Sequence, residues 1–243
     1  MLQSCMPHTL FISDLHLTVE RPHINLQFYD FLETVAPAAE ALYILGDLFE
    51  YWLGDDDTED PLNTSVSGAL AHLARRGVPV YLMHGNRDLL IGPAFAARCN
   101  ARIIPDPTVL DLYGTRTLLM HGDTLCTDDL EYQKFRSYAH NPQTQSQFLQ
   151  RPLAVRHQQM RTMRAQSEAS KSVKAAAIMD VSTVAVEQVL RLHDYPRLIH
   201  GHTHRPAKHA HVVDDHECER WVLSDWYDRG RYLRCDAGGC VAV

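Results

Sequence analysis

Five short apolar segments of this 243-residue chain end in the same kind of polar cluster. Thr9 to Ile12 runs into Ser13-Asp14-Leu15-His16, and Ala41 to Leu45 into Gly46-Asp47. Val78 to Met83 runs into His84-Gly85-Asn86-Arg87-Asp88, and Thr117 to Met120 into His121-Gly122-Asp123. Arg197 to Ile199 runs into His200-Gly201-His202-Thr203-His204. Continuous apolar runs of this length, closed by glycine, predict buried central strands. Helix-like stretches around residues 23–38 and 62–76 separate the first three, which makes β-α-β-α-β alternation and an α/β fold class. Open α/β sheets bind ligands outside the carboxyl ends of their strands. If these strands are neighbours, their terminal carboxylates, amide and imidazoles converge on one site.

The donors collected in this way are Asp14, His16, Asp47, Asn86, His121, His202 and His204. Mixed oxygen and nitrogen donors without thiolate suit Mn, Fe or Zn, whereas Ca or Mg would want more oxygen and Cu(I) would want sulfur. On extended backbone, residues i and i+2 share a face, so D-x-H and H-x-H each predict a pair gripping one ion. The set is too large for one ion and suits two that share a bridging carboxylate. Each motif alone also describes a turn or a surface element. The weight lies in their joint, ordered occurrence. His84 and His200 sit out of phase and predict supporting or core roles, as do Asp88 and Asp123. Arg87 is placed either to bind phosphate oxygens as a planar fork or to pair with Asp88. The run Asp55-Asp56-Asp57 predicts a solvated loop, because adjacent carboxylates repel.

Residues from about 125 to 195 carry few strand signals. Val155 to Glu187 lacks Gly and Pro and predicts a long helix or helix pair, inserted over the site as a cap. From Ala207 onward, β-like runs return at His209 to Val213, Trp221 to Leu223 and Tyr232 to Cys235, read as a second sheet closing a sandwich. The cap carries Arg156, Arg161, Arg164, Lys171 and Lys174, with Glu168 the only acid between 155 and 175. Arg164, Ser167, Lys171 and Lys174 share one helical face. Such a face suits the phosphates and hydroxyls of a glycan or nucleotide diphosphate, or is simply solvated. Leu149, Leu153, Val155, Met160, Met163, Val173 and Ile178 pack the cap onto the core, line a cleft for acyl chains, or both.

Composition excludes several alternatives. A chain 45% hydrophobic and 22% charged is not disordered, and a net charge of −7 argues against broad nucleic-acid binding. Six cysteines without a CxxC pair predict free thiols in a reducing compartment. The N-terminus has no secretory pattern, and no apolar run approaches the ~18 residues of a membrane span. The expectation is a cytosolic protein, or one lying on a membrane without crossing it.

The ordered set Asp14-x-His16, Gly46-Asp47, Gly85-Asn86, His121 and Gly201-His202-x-His204 resembles the calcineurin-like metallophosphoesterase superfamily. The strings GDLFEYWLGDDD (Gly46 to Asp57), HGNRDLL (His84 to Leu90), MHGDTLCTDD (Met120 to Asp129) and HGHTHRP (His200 to Pro206) resemble the UDP-2,3-diacylglucosamine diphosphatase family of lipid A biosynthesis. The match covers residues 9 to 206. The resemblance implies one domain over residues 1–243, a sandwich of two mixed sheets flanked by helices, with the helical cap at about 125–195. It implies two Mn ions: one on Asp14, His16, Asp47 and His204, the other on Asp47, Asn86, His121 and His202. It implies catalytic roles for Asp47, Asn86, His121 and Arg87. It implies substrate contacts from Asn86, Arg87, Asp129, Tyr132, Arg164, Ser167, Lys171, Lys174 and His202. The implied reaction splits the pyrophosphate of UDP-2,3-diacylglucosamine by water attack at the α-phosphorus. The implied location is peripheral, on the cytoplasmic side of the inner membrane, against its anionic surface, and no obligate protein partner is inferred. A generic phosphodiesterase and a non-catalytic scaffold remain the rival readings, the second weakened because every ligand position is filled.

Overall fold

The structure, a computed structural model, describes the backbone of residues 6–171 and 180–243, and side chains outside 165–179. All five motif-bearing strands form, but in two sheets. The first sheet holds β1 (Thr9–Ile12), β2 (Ala41–Leu45), β3 (Val80–Met83) and β4 (Ala101–Ile103), all parallel. The second holds β5 (Thr108–Leu112), β6 (Thr115–Met120), β7 (Arg197–His200), β8 (Ala207–Val213) and β9 (His216–Val222), in the order β5-β6-β7-β9-β8. The last two strands, β10 (Leu233–Asp236) and β11 (Gly239–Ala242), return to the first sheet, where β10 runs antiparallel to β1. This corrects the assignment of Tyr232 to Cys235 to the second sheet. Leu233 and Cys235 bury their side chains between the sheets, a pattern that either sheet would satisfy.

Alternation along the strands explains the layers. Leu10, Ile12, Leu42, Ile44, Val80 and Leu82 face three helices, α1 (Pro22–Thr34), α2 (Pro61–Arg75) and α3 (Pro93–Cys99). Phe11, Leu45 and Met83 face the other way and meet Leu119, Ile199 and Trp221 of the second sheet. Leu118, Met120 and Leu198 point outward beneath α7 (Thr183–Leu192), which contributes Val186 and Leu190. Both faces of the motif strands are therefore buried, which is why their sequences read as unbroken apolar runs. The helices begin where the chain provides caps: Pro22, Pro61 and Pro93 open them, and the Asp60 carboxylate accepts from the N–H of Leu62 and Asn63 at the start of α2.

Between β6 and β7 lie α4 (Leu130–Ala139), α5 (Pro142–Leu149) and α6 (Leu153–Lys171), followed by α7. The α4 and α5 helices bury no residue, unlike the strands beneath them. Two further expectations are corrected. Cys235 and Cys240 face each other across the β10–β11 hairpin, with Cα atoms 4.1 Å apart, and form a disulfide. Cys99, Cys126 and Cys218 are buried and in no disulfide. The Asp55-Asp56-Asp57 run is no solvated loop either. Asp55 accepts from the N–H groups of Gly92 and Phe95 at the start of α3, Asp57 is buried, and Asp56 binds Arg156. Three adjacent acids are tolerated because each turns to a different partner.

Candidate active site

The ends of β1, β2, β3, β6 and β7 meet at one place. Two clusters of donors lie there: Asp14, His16 and His204 in one, Asp47, His121 and His202 in the other, with donor atoms within 4.8 Å of one another in each. Asn86 joins the second cluster, its Oδ1 lying 3.1 Å from His121 Nε2 and 2.9 Å from His202 Nδ1. Asp47 stands between the two. Its Oδ2 is 3.8 Å from His16 Nε2 and its Oδ1 is 3.9 Å from His121 Nε2.

The local backbone explains the convergence. Asp14, His16, Asp47, His202 and His204 all have positive φ, between 51° and 70°. Each such residue costs on the order of 1–3 kcal/mol, and that strain collects at functional sites. The turns also correct the expectation that each spaced pair shares an ion on extended backbone. Asp14 and His16 do fall in one cluster, but His202 and His204 are divided, because both lie past the strand end in left-handed turns. Two glycines admit the crowding. A Cβ on Gly85 would run into the Asp47 carboxylate, and one on Gly201 into Ser13 and Asp14.

The donor set fits divalent cations. Asp14 Oδ1 and His16 Nδ1 are buried without a hydrogen-bond partner. His16 Nε2 and His204 Nε2 face each other at 3.2 Å, and His204 Nε2 lies 3.4 Å from Asp14 Oδ1. Burial pushes Asp47 up to about 7, with Asp88 and Asp14 adding to the rise and His121 opposing it. Burial opposes the His204 shift, but the adjoining Asp14 and Asp225 carboxylates raise it to about 10. His121, similarly buried, is raised to about 9 by Asp47, Asp123 and Asp14. The packed acids therefore demand positive charge among these imidazoles, and a divalent cation supplies it.

Surrounding groups fix the donors. Asp88 is buried and accepts from the N–H groups of Asp47, Leu48, Phe49 and Gly85, so it braces the loops and does not pair with Arg87. His121 Nδ1 faces the Leu45 carbonyl at 2.9 Å. His200 is buried against Arg220, and His84 faces the Ile91 carbonyl. Asp123 accepts from the Tyr132 hydroxyl and from Arg136, both at 2.7 Å, and belongs to neither donor cluster. Burial opposes the low Asp123 value, but the charges of His121, His202 and Arg136 hold it at about 2.

Several residues in this shell escaped the sequence reading. Glu50 is buried and receives the guanidinium groups of Arg21 and Arg164, with Arg87 Nη1 at 3.9 Å and His16 Nδ1 at 3.9 Å. Its signal was an acid inside the otherwise apolar stretch Leu48-Phe49-Glu50-Tyr51-Trp52-Leu53. Asp225 holds His204 Nδ1 at 3.3 Å, and Tyr227 stacks on the His16 ring at 5.7 Å. Their signal was the same as that of the other motif strands, since Trp221-Val222-Leu223 also ends in Ser-Asp.

A cavity of about 500 Å³ opens from Asn86 and Arg87 into the space between the core and α4 to α6. Leu89, Leu90, Phe135, Phe148, Met160 and Met163 give it apolar walls. Met160 and Met163 were expected there, whereas the aromatic contribution of α4 and α5 was not. Arg164 and Tyr132 also line it. Asp129 caps α4, accepting from the Tyr132 N–H at 3.0 Å. Arg156 is instead a structural tie, buried and donating to the Leu53 and Arg151 carbonyls and to Asp56. Leu149 and Val155 are largely exposed. The side chains of Ser167 and Lys171, and Lys174, Val173 and Ile178 altogether, lie outside the described residues.

Comparison with known proteins accords with this geometry. The calcineurin-like phosphoesterase family matches residues 7–206. A UDP-2,3-diacylglucosamine hydrolase of Aromatoleum aromaticum is 56% identical over 95% of this chain and 94% of its own length. Hydrolases of the same name from Edwardsiella ictaluri and Xanthomonas axonopodis pv. citri are each 50% identical over 95% of this chain, and over 89% and 96% of their own lengths. Similarity of this extent, on a chain that brings all the metal-type donors together, leaves one assignment: the protein belongs to the UDP-2,3-diacylglucosamine hydrolase family of calcineurin-like phosphoesterases.

Proposed function

We propose that this protein hydrolyses the pyrophosphate of UDP-2,3-diacylglucosamine to UMP and 2,3-diacylglucosamine 1-phosphate, a step of lipid A biosynthesis. The observation that carries the reading is the continuity of the donor clusters with the apolar cavity. Asn86 belongs to both, and Arg87 beside it lines the cavity, so a diphosphate at the donors can place its acyl chains between core and cap. Each buried CH₂ contributes roughly 0.8 kcal/mol, so a slot of this kind strongly favours a lipid over a bare nucleotide.

In this reading Asp14, His16, Asp47 and His204 hold one ion, and Asp47, Asn86, His121 and His202 the other. Mn is the preferred ion. Two such ions supply charge that screens the pyrophosphate and lowers the pKa of water. The chain does the rest. Arg87 donates to non-bridging phosphate oxygens, its guanidinium held near Glu50. Arg164, Ser167, Lys171, Lys174, Asp129, Tyr132 and His202 bind the sugar and its phosphate. Acyl chains filling the cavity would displace water from its apolar walls, which strengthens the charge interactions beside it. The departing sugar phosphate is a stable anion, so cleavage calls for charge screening more than for a proton donor.

The chain is one domain carrying a cap over about 125–195. No helix among the described residues is long and apolar enough to cross a membrane. Leu130, Phe135, Tyr138, Leu149 and Val155 are exposed on the cap, which supports peripheral docking on an anionic leaflet, on the cytoplasmic side of the inner membrane. Hydrolysis in ¹⁸O-labelled water tests the chemistry. Label in UMP supports attack at the α-phosphorus, and label in the sugar phosphate overturns it. Equal turnover of bis-p-nitrophenyl phosphate and the lipid substrate would overturn the substrate assignment.

A further inference from the structure

The two donor clusters are unlike in charge, and the difference extends beyond the residues that would touch an ion. Asp47 is common to both. The first cluster adds a second carboxylate, Asp14, whereas the second adds a neutral amide, Asn86. Behind the first cluster stands Asp225, whose Oδ2 lies 3.3 Å from His204 Nδ1, while the Nε2 of that ring faces Asp14 and His16. A carboxylate behind an imidazole fixes its tautomer, aims its other nitrogen and raises its basicity as a ligand. Behind the second cluster, His121 Nδ1 faces a main-chain carbonyl, that of Leu45, and the nearby Asp123 carboxylate is turned to Tyr132 and Arg136, acting on the imidazoles through its charge without a hydrogen bond to either ring.

The Asp225 carboxylate is itself fixed. Its Oδ1 accepts the Tyr227 N–H at 3.3 Å. The Tyr227 ring stacks on His16 at 5.7 Å and lies against His204 at the same centroid distance, and the Arg21 guanidinium lies 4.7 Å from its centroid. One short segment past β9 thus grips both imidazoles of the first cluster. It lies outside residues 7–206, where the family match falls.

We infer that the two ions bind with unequal affinity, the Asp14/His16/Asp47/His204 site filling first, and that Asp225 is a positioning residue that sets this order through His204. The inference rests on the two-ion reading above. Opposite charges in contact dominate cation binding, so one extra carboxylate at the ion and another behind its imidazole act in the same direction.

Manganese binding to the full chain, stripped of metal and titrated with MnCl₂, tests it through the EPR signal of free Mn²⁺ and needs no turnover. The wild-type chain is expected to bind two ions with affinities at least about tenfold apart. Asp225→Asn keeps the shape and the contact to Tyr227 while removing the charge. It is expected to weaken the tighter site by about 10–100-fold and leave the weaker one in place. Asn86→Ala is expected to affect the weaker site instead. Far-UV circular dichroism checks that each variant folds, and Asp225→Glu, which restores the charge, is expected to recover much of the loss. Two ions of equal affinity, or an Asp225→Asn effect confined to the weaker site, would overturn the inference and leave the two-ion reading standing. Fewer than two ions on the wild-type chain would overturn both.

Discussion

The core and the cap meet at one cavity, and they are built by opposite means. In the core, every residue of β1 is buried, five of the seven donors sit on left-handed turns, and Asp88 braces the turn of Asp47 through main-chain contacts. In the cap, α4 and α5 bury nothing, and whereas α7 packs on the second sheet, α4 and α6 are tied to the core by charged side chains: Arg156 to Asp56, Arg164 to Glu50 and Arg136 to Asp123. Close packing holds a geometry to fractions of an ångström, whereas ion pairs hold a position but tolerate movement. The chemistry belongs to the first kind of structure and the choice of substrate to the second. Variants of the core should therefore act on kcat and ion content, and variants of the cap on KM.

Asp47→Ala tests the core half most severely. It removes the one group shared by both clusters, so kcat is expected to fall at least about a hundredfold, with bound Mn reduced in the same preparation. Retention of more than about a tenth of wild-type kcat would break the assignment. Removing metal with EDTA is expected to act similarly on the wild type, and added Mn²⁺ to restore the rate.

Glu50→Gln tests the seam between the halves. Glu50 is buried and pairs with Arg21 of the core and Arg164 of the cap. Neutralising it strands two partly buried guanidinium groups, and kcat/KM is expected to fall on the order of tenfold to a hundredfold. The informative measurement is a double-mutant cycle with Arg164→Gln. If Glu50 acts by holding Arg164, the two losses are strongly non-additive. Additive losses would mean that the pair does not couple cap to core.

The same division governs what the sequence could reveal. The converging donors were legible because each follows a strand buried on both faces, and such a strand writes itself as an apolar run closed by glycine. The β4 and β5 strands left no such run. Ala101-Arg102-Ile103 is too short, and Thr108 to Asp111 alternates between half-buried and exposed before the buried Leu112. Which sheet receives Tyr232 to Cys235 depends on pairing with β1, a contact more than 200 residues away that no local pattern encodes. Glu50 and Asp225 were missed for a related reason. Each resembles an ordinary acid until the imidazole or guanidinium it serves arrives from elsewhere in the chain. The cap was legible as helix from its composition, but its aromatic cavity walls come from Phe135 and Phe148, on helices whose sequences read as plain polar surface.

Cap variants that leave the seam alone should have smaller effects. Lys171→Ala is expected to raise KM about tenfold, as loss of one charge-assisted contact to phosphate or sugar would, with kcat at saturation and Mn content near wild type. Loss of Mn from this variant would show that cap and core are not separable in this way.

The smallest expected effect is at the outer tie. Arg156 is buried, but its partner Asp56 has a side chain 62% exposed, so solvent screens much of the pair. In Asp56→Asn the guanidinium keeps the Leu53 and Arg151 carbonyls as acceptors, and the amide still offers an oxygen. The cost should be about 1 kcal/mol, which for a chain of this size lowers Tm by about 2–4 °C. Arg156→Ala should cost more, because it empties a buried position and leaves those carbonyls without a donor. If the cap is held by ties of this kind while the core is held by packing, both variants should lower Tm while kcat and Mn binding stay near wild type. A fall in kcat as large as that from Glu50→Gln would mean that this tie also sets the geometry at the donors, and the separation of the two halves would fail.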